Sequence, residues 1–299
     1  MEHKNTLGHL AALFTAVVWG TTFISTKVLL RDFQPVEILL FRFVLGFLAL
    51  GLIYPRRLTG TNLRQELTFA GAGLCGVSLY FLLENIALTY TMASNVGVII
   101  SVSPFFTAIF SRVFLKEEPL RANFFLGFVL AIAGIFLISF NGQRLALDPL
   151  GDVLALLAAL VWAAYSVLTK RISGYGYPTI LTTRRIFFYG ILFMLPAVLI
   201  MDFRLDLIRL GDPVHLGNLL FLGLGASALC FVTWNFAVKA MGAVKTSVYL
   251  YLVPVITVAA SGLILRETIT PMAGAGTALT LLGLILSEYR GAKRAHNQT

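Results

Sequence analysis

The sequence predicts an all-α membrane protein of ten transmembrane helices, arranged as two inverted five-helix repeats with both termini cytoplasmic. Three observations lead there. The chain is 58% apolar and only 12% charged, with a mean hydropathy of +0.86, whereas a soluble domain carries about 25% charged residues. Its apolar residues fall into ten runs, each near the roughly 20 residues that cross a bilayer core of about 30 Å as a helix. The chain also repeats itself: Val18, Trp19, Thr26, Lys27, Pro35 and Arg42 recur 143 positions later as Val161, Trp162, Thr169, Lys170, Pro178 and Arg185. A second register of 150 pairs Phe81, Asn85, Pro104 and Leu115 with Phe231, Asn235, Pro254 and Leu265. The first copy is expected to span 1–145 and the second 146–299. With an odd number of spans in each, the second copy enters the bilayer upside down.

The first run, residues 8–30, is too long for a cleaved signal, lacks a small-residue cleavage site and has its own copy in mid-chain, so it is expected to stay in the protein. Thr15, Trp19, Thr22 and Thr26 stand on one helical face. Such a stripe serves either a helix contact satisfied by threonine back-bonding or the wall of a solute cavity. The second run, 36–54, carries Arg42. In the third, 66–90, Tyr80 and Glu84 share a face and Asn85 lies about 100° further round. An acid inside a span is costly enough to mark a site. Glu84 has three readings: an ion pair with Arg42, proton coupling, or recognition of a substrate amine.

The fourth run, 93–114, holds Ser101 and Pro104. A proline in a helix interior removes a hydrogen bond and kinks the chain, so Pro104 and its copy Pro254 are hinge candidates. The fifth run, 120–140, places Gly127 and Gly134 seven apart, a spacing for close backbone contact. A linker-like stretch, Asn141 to Pro149, follows. The sixth run, 150–171, repeats the first stripe as Ala158, Trp162, Tyr165 and Thr169, and the seventh, 178–201, carries Arg185. Arg42 and Arg185 are candidate buried charges, serving either a substrate carboxylate or a stabilising contact. The eighth run, 214–240, holds Trp234 and Asn235, with Trp234 where the copy of Glu84 would stand. The ninth, 245–265, brings Tyr251 and Pro254; the tenth, 271–290, brings Gly276 and Gly283, which with Gly127 and Gly134 are expected to pack the halves together.

The net charge of +9 reads as topology rather than nucleic-acid binding. Arg56, Arg57, Arg64, Lys170 and Arg171 belong to a basic set more than twice as large at one face as at the other. That bias puts both termini inside. Cys75 and Cys230 lie in different spans, and His3, His9, His215 and His296 show no ligand spacing, so no metal and no cofactor is expected. A monomer can enclose a path of its own.

Val18-Trp19-Gly20, its Val161-Trp162 copy, and the spans running from Pro104 and Pro254 to Leu-basic-Glu endings at Glu117 and Glu267 resemble the drug/metabolite transporter superfamily. Within it the chain is similar to the ten-helix EamA group over nearly its whole length. Ala163 replaces the glycine found at Gly20, so close approach there need not be symmetric. The resemblance implies a secondary transporter of the bacterial inner membrane that exports amino acids, aromatic ones included. It also admits a multidrug or nucleotide-derivative carrier, although a phosphate-bearing solute would need several basic residues facing the path. An intramembrane enzyme would need paired catalytic groups, which the spans do not offer; a scaffold or receptor is the remaining class. The substrate cavity is expected among Trp19, Thr22, Tyr80, Glu84, Asn85, Ser101, Trp162, Tyr165, Trp234, Asn235 and Tyr251.

Overall fold

The computed structural model describes residues 2–116, 122–140, 149–201, 203–204, 206–266 and 268–288. The expected repeat boundary, the stretch 141–148, Glu117 and Glu267 lie outside the described residues. The described residues are mainly helical, with no strand among them. Ten helices carry the fold: α1 Glu2–Leu29, α2 Pro35–Ile53, α3 Leu63–Tyr90, α4 Ala93–Phe114, α5 Ala122–Phe140, α6 Pro149–Ser173, α7 Thr179–Ile200, α8 Pro213–Met241, α9 Ala243–Leu265 and α10 Pro271–Glu288. Eight are long and apolar enough to cross a membrane; α5 and α10, of 19 and 18 residues, complete the two sets of five.

Packing follows the inverted repeat. α1 lies on α8 and α3 on α6; α2 meets α8 and α7 meets α3; α1 meets α9 and α6 meets α4. Each contact becomes its twin when the halves are exchanged. Matched residues meet where the pseudo-two-fold axis passes: Trp19 and Trp162 edge to face at 5.1 Å, Phe81 and Phe231 at 6.0 Å. Such ring pairs contribute about 1 kcal/mol beyond their buried area. α5 and α10 pair through their glycines. A Cβ on Gly134 would stand 2.5 Å from the Gly276 carbonyl, and one on Gly283 2.5 Å from that of Gly127, so the backbones are in direct contact.

The irregularities are paired too. α3 contains a π-helical stretch at Leu74–Leu79 and α8 one at Phe221–Leu229. α4 breaks at Ser101 and Val102, between Ala93–Ile100 and Ser103–Phe114, and α9 passes through a 3₁₀ turn at Val248–Tyr251 before Leu252–Ala260. Contrary to the mid-helix kinks expected above, neither proline sits in the interior of a continuous helical segment. Pro104 and Pro254 stand in the first turn of a new helical segment, where a missing N–H costs nothing. Lys116 and Arg266, also 150 apart, end the two helices with positive φ of 55° and 56°.

At each membrane face a side-chain cluster ties one copy to the other. Where α1 ends, the fully buried Glu37 accepts hydrogen bonds from the backbone N–H of Gln34 and Arg204 and from the Arg209 guanidinium at 3.2 Å. Arg209 also lies over the Phe33 ring, and His215 pairs with Asp32 at 3.0 Å. At the opposite face Glu66 accepts from the Tyr189 hydroxyl at 2.5 Å and pairs with Arg185 at 3.5 Å, while the Tyr177 hydroxyl donates to Gln65. Exchanging the halves carries the first cluster's segments onto those of the second.

Candidate functional site

Between the halves lies a cavity walled by Trp19, Thr22 and Phe23 of α1, Tyr80, Phe81 and Glu84 of α3, Ile100, Ser101 and Ser103 at the α4 break, Trp162 of α6, and Leu250 and Val253 of α9. Only about 30 Å³ of it admits water-sized molecules, room for about one or two waters. The walls stand close together, so a bulky solute enters only when they part.

Each wall is placed by a local cause. On α1 the threonines serve their own helix: Thr15 donates to Ala11 and Thr22 to Trp19, each to a backbone oxygen. The Trp19 Nε1 donates to the Ala226 carbonyl at 3.0 Å, which anchors its indole in the cavity wall. The π-helical stretch in α3 shifts the register just before Tyr80, bringing Tyr80 and Glu84 inward together; a Cβ on Gly76, within that stretch, would strike the Tyr165 ring at 2.1 Å. Glu84 is 1% exposed, with Oε1 free of any hydrogen-bond partner, and the Tyr80 hydroxyl lies beside it.

The structure brings together Trp19, Thr22, Tyr80, Glu84, Ser101 and Trp162 from the sequence-derived set. The other members stand elsewhere. Asn85, turned away from Glu84 as its position requires, donates to the Pro35 carbonyl at 3.1 Å and anchors the start of α2. Its copy Asn235 accepts from the Tyr165 hydroxyl and donates to Thr183 at the start of α7. Trp234 is fully buried behind Trp19, ring centroids 5.0 Å apart, and Tyr251 packs in a separate cluster with Phe105 and Phe124.

The two arginines also part company. Arg42 is fully buried, donating through Nε to Ser227 at 3.0 Å, with its guanidinium 4.2 Å from the Phe81 ring centre. It makes no ion pair within 4.0 Å of Glu84, although the two charges interact through space. Phe81 thus separates Arg42 from the cavity. Arg185 is not buried, contrary to expectation: its side chain is 29% exposed and reaches out to Glu66 and the Leu58 carbonyl. Although the two stand at matched helix positions, the contacts with Glu66 and Leu58 hold the Arg185 side chain outward. Ser103, Phe23, Ile100, Leu250 and Val253 escaped the sequence reading, which met Phe81 only as a repeat position; only Ser103, next to Pro104, carried a polar signal there.

The model of the EamA-like transporter family matches residues 6–140 and again 149–289. The chain belongs to that family. Relatives over nearly the full length include an uncharacterized transporter of Archaeoglobus fulgidus, 28% identical over 95% of this chain and 98% of that protein. A probable terminal-alkyne amino-acid exporter of Streptantibioticus cattleyicolor is 26% identical over 94% and 93% of the two chains. A probable amino-acid metabolite efflux pump of Escherichia coli is 25% identical over 93% of each. One solved crystal structure superposes with a TM-score of 0.71 at 19% identity, covering 95% of this chain and 98% of its own; that likeness concerns the fold. The protein is therefore a multi-pass membrane transporter of the EamA-like type.

Within that frame three cavity-wall residues stand out chemically. Glu84 Oε1, Ser103 Oγ and Trp162 Nε1 are buried and lack any hydrogen-bond partner among the described residues. An unpaired buried polar group costs about 1–3 kcal/mol, and three around one void call for an explanation. Their characters differ: a carboxylate oxygen accepts, an indole N–H only donates, and a hydroxyl does both.

Proposed function

We propose that this EamA-like protein is a secondary transporter that carries free amino acids, aromatic ones included, outward across a bacterial inner membrane by alternating access. The observation that carries this reading is the set of unpaired polar atoms on an aromatic-walled cavity. A zwitterion matches them. Glu84 would take the α-ammonium, while Ser103 and Trp162 would donate to the α-carboxylate. Ser103 opens the second segment of α4, so the positive end of that helix's dipole faces the same group, the device by which interrupted membrane helices hold anionic substrates. Trp19, Tyr80 and Trp162 offer flat amphipathic surfaces to a bulky side chain. The names of the Escherichia coli and Streptantibioticus relatives support amino-acid movement. A phosphate-bearing solute fits poorly, because the cavity wall carries an acid and no lysine or arginine among the described residues.

The test is counterflow into liposomes containing only this protein, comparing phenylalanine with its decarboxylated amine, its deaminated acid, a nucleoside and a cationic dye. The zwitterion should exchange at least about tenfold faster than either half-analogue, the equivalent of about 1.4 kcal/mol. Glu84→Gln should erase the advantage over the deaminated acid, and Ser103→Ala should shrink the advantage over the amine. Preference for the amine or the dye in the wild type would instead make the protein a carrier of organic cations.

A further inference from the structure

A cavity much wider than the central one lies away from this site, at the membrane face where α2 ends and α7 begins. It measures about 380 Å³ and is walled by Phe47 and Gly51 of α2, Arg57 and Leu58 of the following loop, and Arg184, Arg185 and Phe188 of α7, with further loop and α7 residues. The sequence reading took Arg57 as topogenic charge and Arg185 as a buried charge and did not single out Arg184; none of the three lines the central cavity.

The arginines are arranged rather than scattered. The Arg184 guanidinium donates to the backbone carbonyls of Tyr54 and Arg56, which fixes its plane against the end of α2. Arg185 is held by the Leu58 carbonyl and Glu66, and its buried Nε has no hydrogen-bond partner. Arg57 is exposed and forms no ion pair or hydrogen bond with the described residues. Glu66 is the one carboxylate that pairs with them among the described residues, so a net positive charge remains. Just beyond the crevice the surface turns apolar and outward-facing: Leu48 is 54% exposed, Leu52 83% and Phe188 45%. Side chains so exposed on spanning helices face lipid tails.

We infer that this crevice binds an anionic phospholipid, its phosphate on Arg57, Arg184 and Arg185 and its acyl chains along the α2–α7 groove. Guanidinium groups match phosphate oxygens in paired hydrogen bonds, and basic pockets between spanning helices at the membrane surface hold anionic head groups. The apolar rim argues for lipid over a free anion, since inorganic phosphate would gain nothing from Phe47 and Phe188. The lipid would rest against α7 while touching the loop that leads into α3, and so bridge the two copies.

The experiment measures thermal unfolding of the full-length protein in neutral detergent with added phosphatidylglycerol, phosphatidylcholine or inorganic phosphate, together with native mass spectrometry of retained lipid. Phosphatidylglycerol should raise the midpoint by several degrees and remain as a bound adduct, whereas the other two should do neither. Arg57→Gln, an exposed change that leaves the fold intact, should at least halve both effects. Arg184→Gln is a second variant, compared with its own lipid-free midpoint so that any loss of loop anchoring cancels. Equal stabilisation by phosphatidylcholine, equal stabilisation by phosphate, or an undiminished adduct in Arg57→Gln would each overturn the assignment.

Discussion

At the scale of single residues, the chemistry gathers where the two copies meet. Trp19 and Trp162 occupy matching positions, yet only Trp19 has its N–H satisfied, by Ala226. Copies of one sequence thus differ: one indole is tied to the wall, and the other is the one the proposed reading assigns to the solute. Trp162→Ala should therefore slow transport of a bulky amino acid by about tenfold or more, some 1.4 kcal/mol, while Trp162→Phe should keep the shelf but lose the N–H. Initial rates of counterflow check both, and wild-type rates in both would remove the binding role. Arg42 is a different case. Buried, bonded to Ser227 and stacked on Phe81, it should cost about 2 kcal/mol of stability when replaced by Ala, read as a lower midpoint in detergent. Arg42→Lys should not restore it, because an ammonium lacks the planar fork that makes both contacts.

At the scale of elements, the ten spans and the glycine seam of α5 and α10 were legible because membrane length and heptad spacing are written directly in the apolar pattern. The π-helical stretches were not: Leu74–Leu79 and Phe221–Leu229 read like any helix, and their register shift arises from packing against the other copy. The break in α4 was half legible, since Pro104 announced a disturbance but not its place two residues earlier. Glu37 was missed although Gln34 and Glu37 form a capping box around Pro35, a signal the search for buried acids in mid-span passes over. Gly134→Leu should separate α5 from α10, sharply lowering the unfolding midpoint. A matched Gly274→Leu, where a side chain would meet open space, should be tolerated.

The start of α8 offers a pH test at the same scale. Asp212 caps it, and bonds from the backbone N–H of His215, then of Val214, hold its carboxyl below the ordinary value of 3.8. A lowered folded value means that the capping contribution is fully present above 3.8 and fades as the pH falls through the folded value. Asp212→Asn, which caps without titrating, should remove that part of the acid dependence of the unfolding midpoint. An unchanged acid limb would show that the cap contributes nothing measurable.

At the scale of the whole molecule, the clusters around Glu37 and Glu66 tie opposite faces of the same two halves, and the cavity between them is almost closed. If the halves rock as proposed, one cluster has to loosen while its twin holds. Arg209→Ala, which removes the guanidinium from Glu37 and Phe33, should bias the protein toward opening at that face; the weaker tie should show as faster labelling, from that side, of a cysteine substituted for Thr22 in the cavity wall. The repeat itself was plain in the sequence, and so was the inversion that follows from five spans per copy. The enclosure was not, because it depends on contacts between segments more than a hundred residues apart.

The most direct test of the central claim uses a protein in which Cys75 and Cys230 are replaced by Ala and Thr22 by Cys. In sealed vesicles of either orientation, a membrane-impermeant thiol reagent should reach Cys at that cavity position from both faces, and a transported amino acid should slow both reactions. Labelling from one face only, at any solute concentration, would contradict alternating exposure of a shared central site.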